Sequence, residues 1–180
     1  MRIIGGELGG RRVNPPAKMP HTRPTTDIAK EGLFNILENN LELDGMRTLD
    51  LFGGTGSISY ELASRGVGDL TVVEKDPAMY AFIQKSAAEL KLSDFYKVVR
   101  MDVFKYIGQC TETFDFIFAG PPYALTNIDD LPKLIVPRLL NDKGWFVLEH
   151  TPRNDYKGFS MYVTERHYGT TIFSIFVNKK

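Results

Sequence analysis

An alternation running from residue 46 to residue 150 constrains this chain more than anything else in it. Short and almost wholly apolar runs recur: "RTLDLF" (47–52), "LTVVEK" (70–75), "YKVVRM" (96–101), "FDFIFA" (114–119) and "GWFVLEH" (144–150). The segments between them have helical patterning. A strand apolar on both sides must be covered on both faces, and strands separated by helices pair in parallel. The pattern therefore predicts an α/β fold with a parallel sheet between helical layers. "ISYELASRG" reads as a helix stopping at Gly66, and "DPAMYAFIQKSAAELKL" as one with Pro77 in its first turn. "DVFKYIG" and "IDDLPKLIVPRLL" supply two more. Earlier, Thr26 or Asp27 caps a helix through "DIAKEGLFNILENNL". The tail from Phe159 carries two β-rich runs around Tyr168-Gly169, which predict an antiparallel hairpin closing the sheet.

The region before this alternation is different in kind. Gly5-Gly6 and Gly9-Gly10 separate short apolar pieces, as in a hairpin or a mobile ribbon, and "NPPAKMPHTRPTT" is irregular. Residues 1–24 are expected to form a basic hairpin or arm and residues 25–180 a single domain. Within residues 1–30 six basic side chains face two acidic ones, a net of +4 that the rest of the chain cancels. Such asymmetry is either a nucleic-acid footprint or a solvated tail. No apolar run approaches the ~18 residues of a membrane span, and "MRIIGGELGGRRV" lacks the apolar core of a signal peptide. The lone Cys110 makes neither a disulfide nor a metal cluster. The expectation is a cytoplasmic monomer without a metal.

"LDLFGGTGS" is the strongest local signal. Asp50 lies in the first strand, and Gly53, Gly54 and Gly56 form the turn into the next helix. A dinucleotide site would show G-x-G-x-x-G with phosphate at the helix N-terminus. Here the spacing is G-G-x-G and an acid stands three residues earlier, which would repel phosphate and attract a cation. S-adenosyl-L-methionine satisfies that requirement, carrying a sulfonium and an amino group and no phosphate. Glu74 ends the second strand, placed for ribose hydroxyls. Asp102 ends the third, placed for the adenine amine, with Val103 against the ring. Phe52 and Lys75 flank these turns and complete the expected cofactor set. Read singly, Glu74 and Asp102 could equally be caps of the helices that follow them.

The fourth strand ends in "FAGPPY". Asp, Asn or Ser before Pro-Pro-Tyr resembles the loop of methyltransferases that act on planar amino nitrogens. "TRPTTDIAKEGLFNIL", "LDLFGGTGS" and "YGTTIFSIF" are similar to the RsmD family in particular, over nearly the whole chain. That resemblance implies a Rossmann-like class I fold with seven strands, the last one antiparallel. It also implies methylation of the exocyclic N2 of a guanine in 16S rRNA, named for position 966, within a ribosomal small-subunit particle. Gly120, Pro121, Pro122 and Tyr123 would hold the target amine. The prolines stiffen the loop and Tyr123 stacks on the base. Arg2, Arg11, Arg12 and Lys18 would meet phosphates, and His21, Arg23 and Thr25 would close the pocket or touch RNA.

Gly120 departs from the family's pattern, because it has no side-chain acceptor. Three readings stay open: the Pro121 carbonyl suffices, another group substitutes, or the protein binds RNA without methylating it. Asp115 is too far back along its strand, roughly 16 Å, to substitute. Glu149, ending the adjacent strand, is the nearest candidate, and reads equally well as a structural acid. Methylation of adenine in DNA or of protein glutamine uses a similar loop. The chain shows no separate DNA-recognition segment, which argues against the former.

Overall fold

The computed structural model describes residues 1–17 and 25–179. Among them, five helices, α1 (Asp27–Asn40), α2 (Ser57–Ser64), α3 (Pro77–Glu89), α4 (Val103–Gln109) and α5 (Asp130–Leu139), surround one sheet. Its strands are β1 (Arg47–Leu51), β2 (Asp69–Val73), β3 (Tyr96–Val99), β4 (Phe114–Ala119), β5 (Leu140–His150), β6 (Tyr162–Tyr168) and β7 (Thr171–Val177). Their order is β3-β2-β1-β4-β5-β7-β6, with β1 to β5 parallel and β7 antiparallel to both of its neighbours. β7 is the one reversed strand, so the tail hairpin closes the sheet as expected.

This order positions the site. The chain builds outward from β1 to β3, then returns to lay β4 on the other side of β1. The reversal leaves a crevice at the carboxyl ends of β1 and β4, where open α/β sheets bind ligands. Register brings Asp50 opposite Phe118 and Leu51 opposite Ala119. On the far side, Ala119 pairs with Leu148, so the next position sets Gly120 beside Glu149.

Alternate strand residues feed two cores, as a doubly covered sheet requires. Phe116 and Phe118 pack with Leu33, Phe34 and Leu37 of α1 on one face. Leu49, Leu51 and Ile117 pack with Ile107, Leu131 and Ile135 of α4 and α5 on the other. Thr26, rather than Asp27, caps α1 by accepting from the Ala29 N–H at 3.2 Å. β5 begins at Leu140 instead of Gly144. Between the pairs Phe114–Leu140 and Phe116–Trp145 the register jumps, and Lys143 takes a φ of 64° in the bulge.

The N-terminal ribbon is docked on the body. Arg2 and Arg12 form an antiparallel bridge, and Ile3 and Val13 are buried in the α1-side core. Buried charge fastens it. Glu61 of α2, wholly buried, accepts from the N–H groups of Ile4 and Gly5 at 2.9 Å each and from Arg65 Nε at 2.9 Å. The buried Lys30 ammonium lies 3.6 Å from Glu61 and donates to the Arg2 carbonyl at 2.7 Å. Among the described residues no helix is long and apolar enough to cross a membrane, and no cluster of side chains could hold a metal.

Candidate active site

The crevice holds a cleft of about 1130 Å³ lined by the ends of β1, β4 and β5 and by the segments that follow β1, β2, β3 and β4. The turn after β1 forms its floor. Phe52 adopts a left-handed φ of 62°, a conformation that costs a non-glycine residue about 1–2 kcal/mol and that concentrates at functional sites. Glycine is required at two positions for different reasons. A Cβ on Gly53 would lie 2.4 Å from the Val72 side chain, so the turn must pass flush against β2. Gly56 has a φ of 86°, and a Cβ there would strike the Tyr60 ring at 2.5 Å. With both in place, α2 starts directly under the cleft.

Three carboxylates converge on this floor. Asp50 is almost wholly buried, and its Oδ2 has no hydrogen-bond partner among the described residues. Burial holds its carboxyl well above the usual range, with Glu74 and Glu149 adding repulsion and the Ser59 amide partly opposing. A buried, unpartnered acid beside two others is unfavourable for a phosphate and favourable for a cation. Glu74 accepts from the Gly54 N–H at 2.9 Å and the Asp76 N–H at 2.8 Å. It therefore ties the glycine turn to the end of β2. The cap of α3 is Asp76, which accepts from Met79 N–H at 3.0 Å; the capping alternative for Glu74 does not hold. Asp102 is a helix cap that also stands on the cleft wall. It caps α4 through Oδ2 to Lys105 N–H at 3.1 Å, and it lines the cleft with Val103 and the exposed Lys75.

The loop after β4 forms the opposite wall. Gly120 to Tyr123 all line the cleft, with the Gly120 N–H bonded to Leu51 carbonyl at 3.3 Å and the Pro122 carbonyl closing a turn onto Leu125 N–H at 3.0 Å. Tyr123 donates its hydroxyl to Glu149 Oε2 at 2.8 Å. Thr25 donates to Glu149 Oε1 at 2.9 Å, which joins the segment before α1 to this wall. Asp115 is spent at the other end of the strand, accepting from Arg47 N–H and Asn141 Nδ2.

The basic residues lie elsewhere. Arg2 pairs with Asp27 at 3.1 Å, and Arg11 and Arg12 are exposed on the ribbon; none of the three lines the cleft. Lys18, His21 and Arg23 lie outside the described residues. Sequence reasoning passed over Met79, Phe104 and Asn127, which also line the cleft. An alternation pattern reads the first two as core and the last as loop, so no local signal marked them.

Known proteins resemble this chain in sequence and fold. The family model described as conserved hypothetical protein 95 matches residues 1–177. Ribosomal RNA small subunit methyltransferase D of Escherichia coli (strain K12) is 32% identical over 149 residues, spanning 83% of this chain and 71% of its own length. The solved structure of YhhF from Escherichia coli is similar over 99% of this chain and 98% of that one, with a TM-score of 0.86 and 26% identity. An RNA methyltransferase from Salinibacter ruber, solved with S-adenosyl-L-homocysteine, shares the fold at a TM-score of 0.68 and 15% identity, over 88% of this chain and 95% of that one. With its acid-lined crevice, its glycine turn and its Pro-Pro-Tyr wall, the chain belongs to the conserved hypothetical protein 95 family, the methyltransferase family of RsmD.

Proposed function

We propose that this chain methylates the exocyclic N2 amine of a guanine in 16S rRNA, acting as a cytoplasmic monomer on a small-subunit particle. The observation that carries the reading is the meeting of a cation-seeking acid cluster with a rigid aromatic loop across one cleft. Asp50 lies near the end of β1, Glu74 directly follows β2, Asp102 stands three residues beyond β3 at the start of α4, and Gly120 to Tyr123 line the same cleft. The identity to RsmD proteins supports rRNA as the substrate class.

S-adenosyl-L-methionine, when bound, supplies a methyl on a sulfonium: the N–C bond forms as the C–S bond breaks, its electron pair stays on sulfur, and the amine loses one proton. The protein's own part is placement. Asp50 would meet the cofactor's positive end, Glu74 its ribose hydroxyls, and Asp102 with Val103 its adenine. Lys75 and Phe52 edge the same groove, and Gly53, Gly54 and Gly56 allow the close approach. The guanine amine is a weak nucleophile because its lone pair is delocalised into the ring. Holding it in line with the methyl supplies several kcal/mol of the barrier. Tyr123 offers a face to the base, worth about 1–3 kcal/mol, and the prolines fix the direction of the loop carbonyls, Pro121's above all. A stacked base in a duplex cannot enter, so the target is unpaired or flipped. Arg2, Arg11, Arg12, His21 and Arg23 are assigned to the RNA.

The test is to incubate the protein and labelled S-adenosyl-L-methionine with small subunits lacking the modification, beside protein and DNA controls. Label in 16S rRNA alone is expected. Label in DNA or protein would replace this reading with an adenine or glutamine methyltransferase. Cofactor binding without transfer would favour a non-catalytic RNA-binding protein, the reading to which Gly120 lends its weight.

A further inference from the structure

Resting on the amine-methyltransferase reading, we infer that the side-chain acceptor this loop lacks at Gly120 is supplied from the neighbouring strand by Glu149, which touches the target amine directly. Register is the first ground. Ala119 of β4 pairs with Leu148 of β5, so the residue after each stands beside the other at the rim of the cleft. Space is the second. A Cβ at position 120 would lie 3.8 Å from Glu149 Oε1, so the Glu149 carboxylate reaches the volume a short acidic side chain at 120 would fill. The same Cβ would press on the Phe118 ring at 3.1 Å, and two carboxylates in that volume would repel. One carboxylate fits there, and in this chain it comes from β5.

Orientation is the third ground. Thr25 donates to one oxygen of Glu149 and Tyr123 to the other, which fixes the plane of the carboxylate. Tyr123 belongs to the stacking loop, so the acceptor and the aromatic face are held as one unit. A base lying on Tyr123 brings its amine to the edge of the ring where that carboxylate stands. As the nitrogen's lone pair forms the bond to carbon and the C–S pair returns to sulfur, its N–H bonds turn acidic. Glu149 accepts one of them in a charge-assisted hydrogen bond, and the proton released passes to water.

The inference separates from a merely structural role by rescue. Four proteins are compared with the parent in single-turnover transfer to unmodified small subunits: Glu149→Gln, Glu149→Ala, Gly120→Asp and Gly120→Asp/Glu149→Ala. Cofactor affinity by calorimetry and the melting temperature are measured alongside. Glu149→Gln keeps shape and is expected to slow transfer by roughly 10- to 150-fold, the loss of one hydrogen bond to a charged group, with cofactor affinity retained. Glu149→Ala is slowed at least as much. Gly120→Asp alone is no faster than the parent, because it crowds a second carboxylate against the first. The double variant regains at least tenfold over Glu149→Ala, its acid having moved back to the loop. Parent-like rates in both Glu149 variants would overturn the assignment. So would a double variant no faster than Glu149→Ala while its melting temperature and cofactor affinity match the parent. A parent that binds cofactor and transfers nothing would instead fail the underlying amine-methyltransferase reading, and the Glu149 assignment with it.

Discussion

Asp50 shows how burial changes the acidity of a common residue. In water its carboxyl would ionise near 3.8; under the β1 turn, desolvation and two nearby acids hold it well above that value. Between the two values the folded protein keeps a proton that an exposed aspartic acid would release. A cationic ligand beside Oδ2 favours the carboxylate, so binding should expel that proton. The sign follows: cofactor affinity strengthens as pH rises through the raised value and levels off above it. Calorimetry in buffers of different ionisation enthalpy checks this. The expected result is a buffer-dependent binding enthalpy that Asp50→Asn abolishes, and a buffer-independent enthalpy in the parent would contradict it. The position of Asp50 was legible from the sequence, because an acid three residues before a glycine turn has few other uses. The nearness of Glu149 to Gly120 was legible only as one of two readings, a substitute or a structural acid, since it depends on the register between β4 and β5, which the 28 residues of intervening chain do not reveal.

The elements were legible where hydrophobic period alone decides them and less so where bulges or buried charge intervene. β4 matches its apolar run from Phe114 to Ala119 residue for residue, while β5 gains four residues at its start through the bulge at Lys143. At the N-terminal ribbon the sequence left a hairpin or a mobile ribbon open; Arg2 and Arg12 pair antiparallel, and Glu61 holds the ribbon by two backbone N–H groups from inside α2. A glutamate within a helix ordinarily reads as solvent-facing, so nothing local marks Glu61 as buried. Burial lowers the Lys30 ammonium's pKa and Glu61 opposes that shift. Removing the carboxylate leaves a buried charge without its counter-ion and two amides without their acceptor. Glu61→Ala is therefore expected to cost about 3–5 kcal/mol in urea denaturation, with faster hydrogen exchange at Ile4 and Gly5. A loss under about 1 kcal/mol would show that the ribbon does not depend on this contact.

At the scale of the molecule, charge and cleft are separate features with separate signatures. The cleft collects acids, whereas Arg11 and Arg12 stand exposed on the docked ribbon. If the ribbon meets phosphates, replacing both arginines by glutamine should flatten the dependence of log K for rRNA on log salt by roughly 1.5, at about 0.7–0.9 per lost contact. Cofactor affinity should stay as it was, and an unchanged salt slope would remove the ribbon from the RNA interface. The doubly covered parallel sheet was predictable because its strands are apolar on both faces, and the crevice followed from where those strands end. The most direct measurement is nucleoside mass analysis of 16S rRNA after incubation of unmodified small subunits with this protein and S-adenosyl-L-methionine. One N2-methylguanosine gained per particle is the expected result. Methyl groups on adenine, on protein or nowhere, with the cofactor demonstrably bound, would contradict it.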